Sequence, residues 1–243
     1  RLVIDIGGGS TEFIIGRGLE AERLESLTIG CVGMTQRFFG DGRLTAAAFD
    51  AAETLARVEI EAIAGAFGAG AWREAYGSSG TAVALADILE QNAFSGGGIT
   101  PAGLARLRRR MLDAGHVSRL KLNALKGERA PVLAGGLSIM AAAVAELRTE
   151  RIDPVGGALR LGVPYDLLGR TTDEDARAVT AKRFIVRYGI DRAQALRVSA
   201  LAAAFFRRAL PAPDPALAKL VEWAGLLHEI GMSISHASFH KHG

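Results

Sequence analysis

Cysteine is almost missing from this sequence: Cys31 is the only one in 243 residues. A single thiol excludes an intrachain disulfide and fits a reducing compartment, so a cytoplasmic location is expected. With no histidine near it in sequence, Cys31 reads as a small buried residue rather than a nucleophile. Net charge is also small, at +3, too little to argue for binding nucleic acid or a membrane surface. No stretch has the length and apolarity of a membrane span, the N-terminus is not a signal peptide, and neither repeats nor low-complexity tracts occur. What remains is the composition of an ordinary globular protein, 49% hydrophobic and 23% charged, with length for one large domain or two small ones. The sequence has no initiator methionine, begins directly in a strand pattern and stops just after a helical one. A fragment of a longer protein is therefore expected.

The most informative segment opens the chain. Leu2, Val3 and Ile4 read as a short strand that runs into Asp5-Ile6-Gly7-Gly8-Gly9-Ser10-Thr11-Glu12. Glycines in a turn let backbone N–H groups approach a ligand closely, and successive free N–H groups form a nest for an anion, phosphate above all. Ser10 and Thr11 add hydroxyls, while Asp5 and Glu12 bracket the turn. Two carboxylates beside a phosphate cradle repel the anion unless a divalent cation lies between them. Phe13, Ile14 and Ile15 continue as a second strand, so a hairpin is present in any case. The polar residues around the glycines favour a phosphate–metal site over a bare hairpin turn.

Three strands are expected first, at 2–5, 12–15 and 25–29, as an antiparallel meander. Helices are expected over 33–39 and from a Thr45 cap to Phe67, the latter burying Leu55, Val58, Ala62 and Ile63. A strand at 74–76 enters a second small-residue turn, Gly77-Ser78-Ser79-Gly80-Thr81, from which a helix leaves over 82–90. A helix N-terminus after such a turn offers free N–H groups and a positive dipole end to an anion. Alone the turn is weak evidence; beside the first loop it reads as a second wall of one phosphate site. Thr100-Pro101 starts another helix, whose Arg106, Arg108, Arg109 and Arg110 read as a solvated face. Further strands are expected at 131–133 and 152–155, with a helix after Gly135-Gly136 and another over 156–168. Strands in a meander and then alternating with helices imply a mixed sheet covered by helices.

Residues 169–175 read as a polar linker. Helices follow over 176–188, 193–210 and 216–231, interrupted at Pro211, Pro213 and Pro215, with Val198, Leu201, Ala202, Phe205 and Phe206 as a packing stripe. His228, His236, His240 and His242 cluster at the end and invite a metal reading. The partners of a hydrolytic centre are missing, however, and Glu229 stands where a histidine–aspartate doublet would have Asp. Packing of a helical cap or of a domain interface is the preferred account of these histidines.

Taken in order, residues 5–12, the turn 77–81, Gly156, Ala158, Leu159 and Arg160 with Gly162, and the closing Phe239-His240-Lys241-His242 resemble the exopolyphosphatase/guanosine pentaphosphate phosphohydrolase family. The resemblance runs over essentially the whole chain. It implies an α/β fold: residues 1–170 as a ribonuclease-H-like lobe of the actin-like ATPase superfamily with a mixed sheet, the second lobe of the family, and residues 171–243 as an incomplete all-α HD-like domain. It implies that Asp5 binds Mg²⁺, directly or through water, and shares the metal with Glu12. Gly7, Gly8, Gly9, Ser10 and Thr11 would hold the terminal phosphate, and Glu12 would orient or deprotonate the attacking water. Gly77, Ser78, Ser79, Gly80 and Thr81 would contact the adjoining phosphates. The implied activity is exopolyphosphatase, with guanosine pentaphosphate hydrolysis as the nearest alternative; an actin-like ATPase or kinase and a non-catalytic polyphosphate-binding module are further ones. The family's principal catalytic glutamate belongs to the first lobe, so this chain alone is expected to be inactive and the full-length protein to be a homodimer. Val155 and Gly156 replace a Ser-Asp pair common in the family, and Leu161 replaces a Glu.

Overall fold

Strands β1 (Leu2–Ile6) and β2 (Thr11–Arg17) alternate buried and half-exposed side chains, the period of a sheet with one covered face. Leu2, Ile4, Ile6, Phe13 and Ile15 fill the covered face, and Asp5 and Glu12 fall on the other. The computed structural model describes residues 1–18, 20–156, 175–210, 212 and 214–242. It divides into two compact units, Arg1–Ala158 and Leu159–Gly243.

In the first unit, β3 (Glu20–Leu27), β4 (Ala75–Gly77) and β5 (Asp153–Pro154) complete a five-stranded sheet of order β3-β2-β1-β4-β5. The first three strands are antiparallel, while β4 pairs parallel with β1 and β5 parallel with β4. The sheet is therefore mixed, as expected. β3 starts five residues earlier than the apolar pattern indicates, because six of its eight side chains are exposed and four of those are charged. Charge on an edge strand discourages pairing with a further chain, and it also hides the strand from a hydrophobicity reading.

Helices α1 (Cys31–Phe39), α2 (Ala46–Phe67), α3 (Gly80–Gln91), α4 (Pro101–Ala114) and α5 (Leu133–Glu146) share one hydrophobic core with the sheet. Thr45 and Thr100 cap α2 and α4 through their hydroxyls, accepting from the amides of Ala48 and Gly103. The buried stripe of α2 is Phe49, Ala52, Ala56, Ile60, Ile63 and Phe67, so the expected face is rotated: Ile63 faces in, while Val58 and Ala62 are exposed. Among the arginines of α4, Arg108 turns inward to Asp50 and Glu53 and stacks on Phe49, 5.6 Å from the ring centre. Residues 131–133 form no strand. A 3₁₀ turn over Ala130–Val132 leads straight into α5, almost all of which is buried. A short apolar run cannot separate strand from buried helix by periodicity, and Gly135-Gly136 lies inside the helix rather than before it. The expected helix over 156–168 and Gly162 lie outside the described residues, apart from Gly156, which is not helical.

The second unit contains α6 (Ala176–Arg187), α7 (Arg192–Ala209) and α8 (Pro215–Leu226). Each starts on an aspartate cap: Asp175, Asp191 and Asp214 accept from amides two residues on. The buried line of α7 is Ala195, Ser199 and Ala203 rather than the expected stripe, of which Leu201 and Phe205 are exposed. The small side chains permit close approach: a Cβ on Gly225 of α8 would stand 2.6 Å from Ser199 Cα. His228 Nδ1 lies 2.8 Å from the Gly225 carbonyl oxygen, a packing role. No group of three or more His, Cys, Asp or Glu side chains able to hold a metal occurs among the described residues. None of the described helices is long and apolar enough to cross a membrane.

Candidate functional site

The hairpin between β1 and β2 is closed by Gly7 N donating to the Ser10 carbonyl at 2.9 Å. Its register sets Asp5 directly opposite Glu12 on the half-exposed face. Like charges directly opposite in a sheet are destabilising, so this arrangement asks for positive charge between them. Each carboxylate is oriented by hydroxyls. Glu12 Oε1 accepts from Ser10 Oγ at 2.6 Å and from Ser26 Oγ at 2.9 Å. Asp5 Oδ2 accepts from Ser78 Oγ at 2.9 Å. The other oxygen of each carboxylate has no hydrogen bond among the described residues. Two such oxygens beside an anion nest fit a small hard cation, which takes one or two carboxylates and completes its shell with phosphate oxygens and water.

The loop rests on the start of α1. Cys31 N donates to Gly7 O at 2.9 Å and Val32 N to Gly8 O at 3.0 Å. This contact depends on Gly30, where a Cβ would come 2.3 Å from Gly8 O and 2.4 Å from Gly9 N. The amides of Gly8, Gly9 and Ser10 have no acceptor among the described residues. Gly9 has ordinary φ and nothing within 4 Å of a built Cβ, so the protein itself does not require glycine there.

The second expected wall converges on the first. Gly77 ends β4, Ser78 bonds Asp5, and Ser79 caps α3, its hydroxyl accepting from Ala82 N at 3.0 Å. Gly80 and Thr81 form the first turn of α3, and their amides have no acceptor among the described residues. Two of the proposed hydroxyls are engaged elsewhere. Thr11 Oγ1 donates to Ile29 O at 2.6 Å, and Thr81 Oγ1 to Ile6 O at 3.0 Å, both buried. They brace the loops; Thr11 is also paired in the sheet through its main chain, so of the two threonines only Thr81 keeps an amide without an acceptor among the described residues.

Three contributors carry no local sequence signal. Gly30 and Ser26 act through contacts made only in the fold. Arg129 lies far along the chain, yet a Cβ on Gly80 would fall 2.3 Å from its Nη2. Its guanidinium therefore covers the N-terminus of α3 and has no acidic partner among the described residues. A cation at the positive end of a helix is unfavourable unless an anion joins them. Beneath the site α5 packs tightly: Cβ atoms on Gly135 and Gly136 would fall 2.5 Å from Cys31 O and from Thr81 Cγ2. That close packing is the role of a glycine pair too short to mark a nucleoside pocket.

Comparison with known proteins gives a family match over both units. The model of the Ppx/GppA phosphatase family matches residues 1–171, and that of Ppx/GppA phosphatase, domain III, matches residues 176–243. Among solved structures, a Ppx/GppA phosphatase of Aquifex aeolicus has TM-score 0.57 at 21% identity, over 67% of this chain and 55% of that one. An exopolyphosphatase-like protein has TM-score 0.57 at 24% identity, over 70% and 60%. An exopolyphosphatase of Cytophaga hutchinsonii has TM-score 0.55 at 23% identity, over 69% and 56%. These likenesses show the fold. The chain covers 55% to 60% of the length of those proteins.

Proposed function

This chain belongs to the Ppx/GppA phosphatase family, and on that footing we propose that it serves the hydrolysis of terminal phosphoanhydride bonds of inorganic polyphosphate, releasing orthophosphate. The observation that carries this reading is the Ser78–Asp5 hydrogen bond, which ties the turn after β4 to the end of β1 beside the glycine loop. The amides of Gly8, Gly9 and Ser10 hold the terminal phosphate, while those of Gly80 and Thr81, with Arg129, hold the next one. Glu12, steered by Ser10 and Ser26, orients a water for in-line attack on the terminal phosphorus. The P–O bridge breaks, and the shortened chain leaves with the bridging oxygen. Mg²⁺ held by Asp5 and Glu12 would supply neutralisation of the charge gathering on the phosphoryl oxygens. Such hydrolysis depends on positioning and electrostatics more than on covalent chemistry, and a preorganised cradle supplies both.

Orthophosphate release from polyphosphate, guanosine pentaphosphate and ATP, measured on the full-length protein in Mg²⁺, tests the reading. Release is expected to be fastest on polyphosphate and to fall by roughly 100-fold in Glu12→Ala. No release from any of the three removes the hydrolase reading. Faster release from guanosine pentaphosphate moves the substrate to that nucleotide, and unchanged activity in Glu12→Ala removes the role given to Glu12.

A further inference from the structure

A cavity of about 490 Å³ lies between α2, α4 and the C-terminal part of α5, with a largely aliphatic wall that includes Pro101, Leu104, Leu137, Ala141 and Val144. Into this wall are set Glu53, Arg108 and Thr149. Three buried side-chain polar atoms have no hydrogen-bond partner among the described residues: Glu53 Oε1, Arg108 Nε and Thr149 Oγ1. All three belong to this one cavity. Natural proteins leave few such atoms, and each requires an explanation. Thr149 is only 2% exposed, so its hydroxyl cannot turn to bulk water. Arg108 Nε and Glu53 Oε1 are 3.2 Å apart and attract each other, but their geometry falls short of a hydrogen bond. Burial pushes the Glu53 carboxyl above its usual range, against the pull of Arg108.

The charges around the cavity narrow what fits. The Arg108 guanidinium already serves Asp50 and Glu53, and the exposed Arg148 and Glu150, which also line the cavity, add one charge of each sign, so neither an anionic nor a cationic head gains a net partner. A cationic head would face the Arg108 N–H. A head that both donates and accepts answers all three atoms. A volume of this size lies within the usual range of small-molecule sites, which combine apolar walls with a few placed polar groups.

We infer that this cavity is a second ligand site, separate from the phosphate loops, that takes a neutral amphipathic molecule. Its aliphatic or aromatic body lies against Leu104, Leu137, Ala141 and Val144, and a carboxamide or hydroxyl head sits among Glu53, Arg108 and Thr149. The inference stands whether or not the hydrolase reading does.

The test is an NMR titration of the 243-residue chain with benzamide, benzoate and benzylamine, which share a ring and differ in the charge of the head. Benzamide is expected to give saturable shifts at the amides of residues 104–108 and 141–149, and to bind about fivefold more tightly than either charged probe. Thr149→Val keeps the shape and is expected to weaken benzamide by about fivefold. Ala105→Trp, at an exposed position on the rim, is expected to abolish the shifts by filling the mouth. Equal binding of the three probes, shifts indifferent to both substitutions, or no saturable shift would each overturn the inference.

Discussion

The two ends of α5 are built on opposite plans. At the N-terminal end nothing is spare: Gly135 and Gly136 press on Cys31 and Thr81, and the Thr11 and Thr81 hydroxyls are both engaged. At the C-terminal end the same helix borders open volume and three polar atoms without partners. The difference teaches where this unit holds its geometry fixed. The phosphoryl placement proposed for these loops needs backbone that does not move, and close packing provides that. A cavity is tolerated where no atom has to be held to a fraction of an ångström.

The hardest blow to the tight end is Gly30→Ala. The added methyl meets backbone at Gly8 and Gly9, which no rotamer change relieves. A loss of about 3 kcal/mol is expected, read as a lower midpoint in urea, with tripolyphosphate binding lost alongside. Unchanged midpoint and binding would show that the loop is not held against α1.

One substitution made at both ends gives the sharpest contrast. Thr81→Val removes a made hydrogen bond and strands the Ile6 carbonyl, so it is expected to destabilise by about 1.5 kcal/mol. Thr149→Val removes an unpartnered hydroxyl and is expected to stabilise by about 1 kcal/mol. Equal signs in chemical denaturation would erase the distinction between the two ends.

The smallest effect expected is one of pH. Glu53 has its folded-state pKa raised by burial, with Arg108 and Arg57 opposing and Asp50 reinforcing the shift. A raised carboxyl contributes its stability below the unfolded pKa and loses it as pH climbs through the folded value. Glu53→Gln is therefore expected to melt above the parent near about pH 7, with the difference closing by about pH 4. A difference independent of pH would detach the effect from ionisation. Asp175, in the helical unit, runs the other way. Hydrogen bonds from Arg177 hold its carboxyl below the usual range, so its contribution is present at neutral pH and fades as pH falls through the depressed folded value.

Local signals were readable in the sequence, and long-range ones were not. The opening turn, the caps at Thr45 and Thr100 and the mixed sheet follow from neighbouring residues, and they appear where the patterns place them. β3 escaped its correct bounds because an edge strand can be charged on both faces, and the start of α5 because a buried helix has no polar side to show its period. The seam of α7 was misjudged for a related reason. The largest apolar side chains mark a core only when a partner has room for them; here Gly225 admits Ser199, and the buried line is Ala195, Ser199 and Ala203 instead. Of the site, the two turns were legible, but Gly30, Ser26 and Arg129 gain their meaning from residues 14 to 49 positions away, brought close only by the fold.

The seating of the glycine loop on α1 has an electrical consequence. The peptide unit between Gly7 and Gly8 receives a helix N–H at its oxygen and turns its own N–H the opposite way; the unit between Gly8 and Gly9 does the same. Hydrogen bonding at one end of a peptide group polarises the other. The loop thus works as a relay, passing the positive pole of α1 outward through one layer of peptide. An anion in the nest would feel the helix without touching it, through two amides that have no acceptor among the described residues.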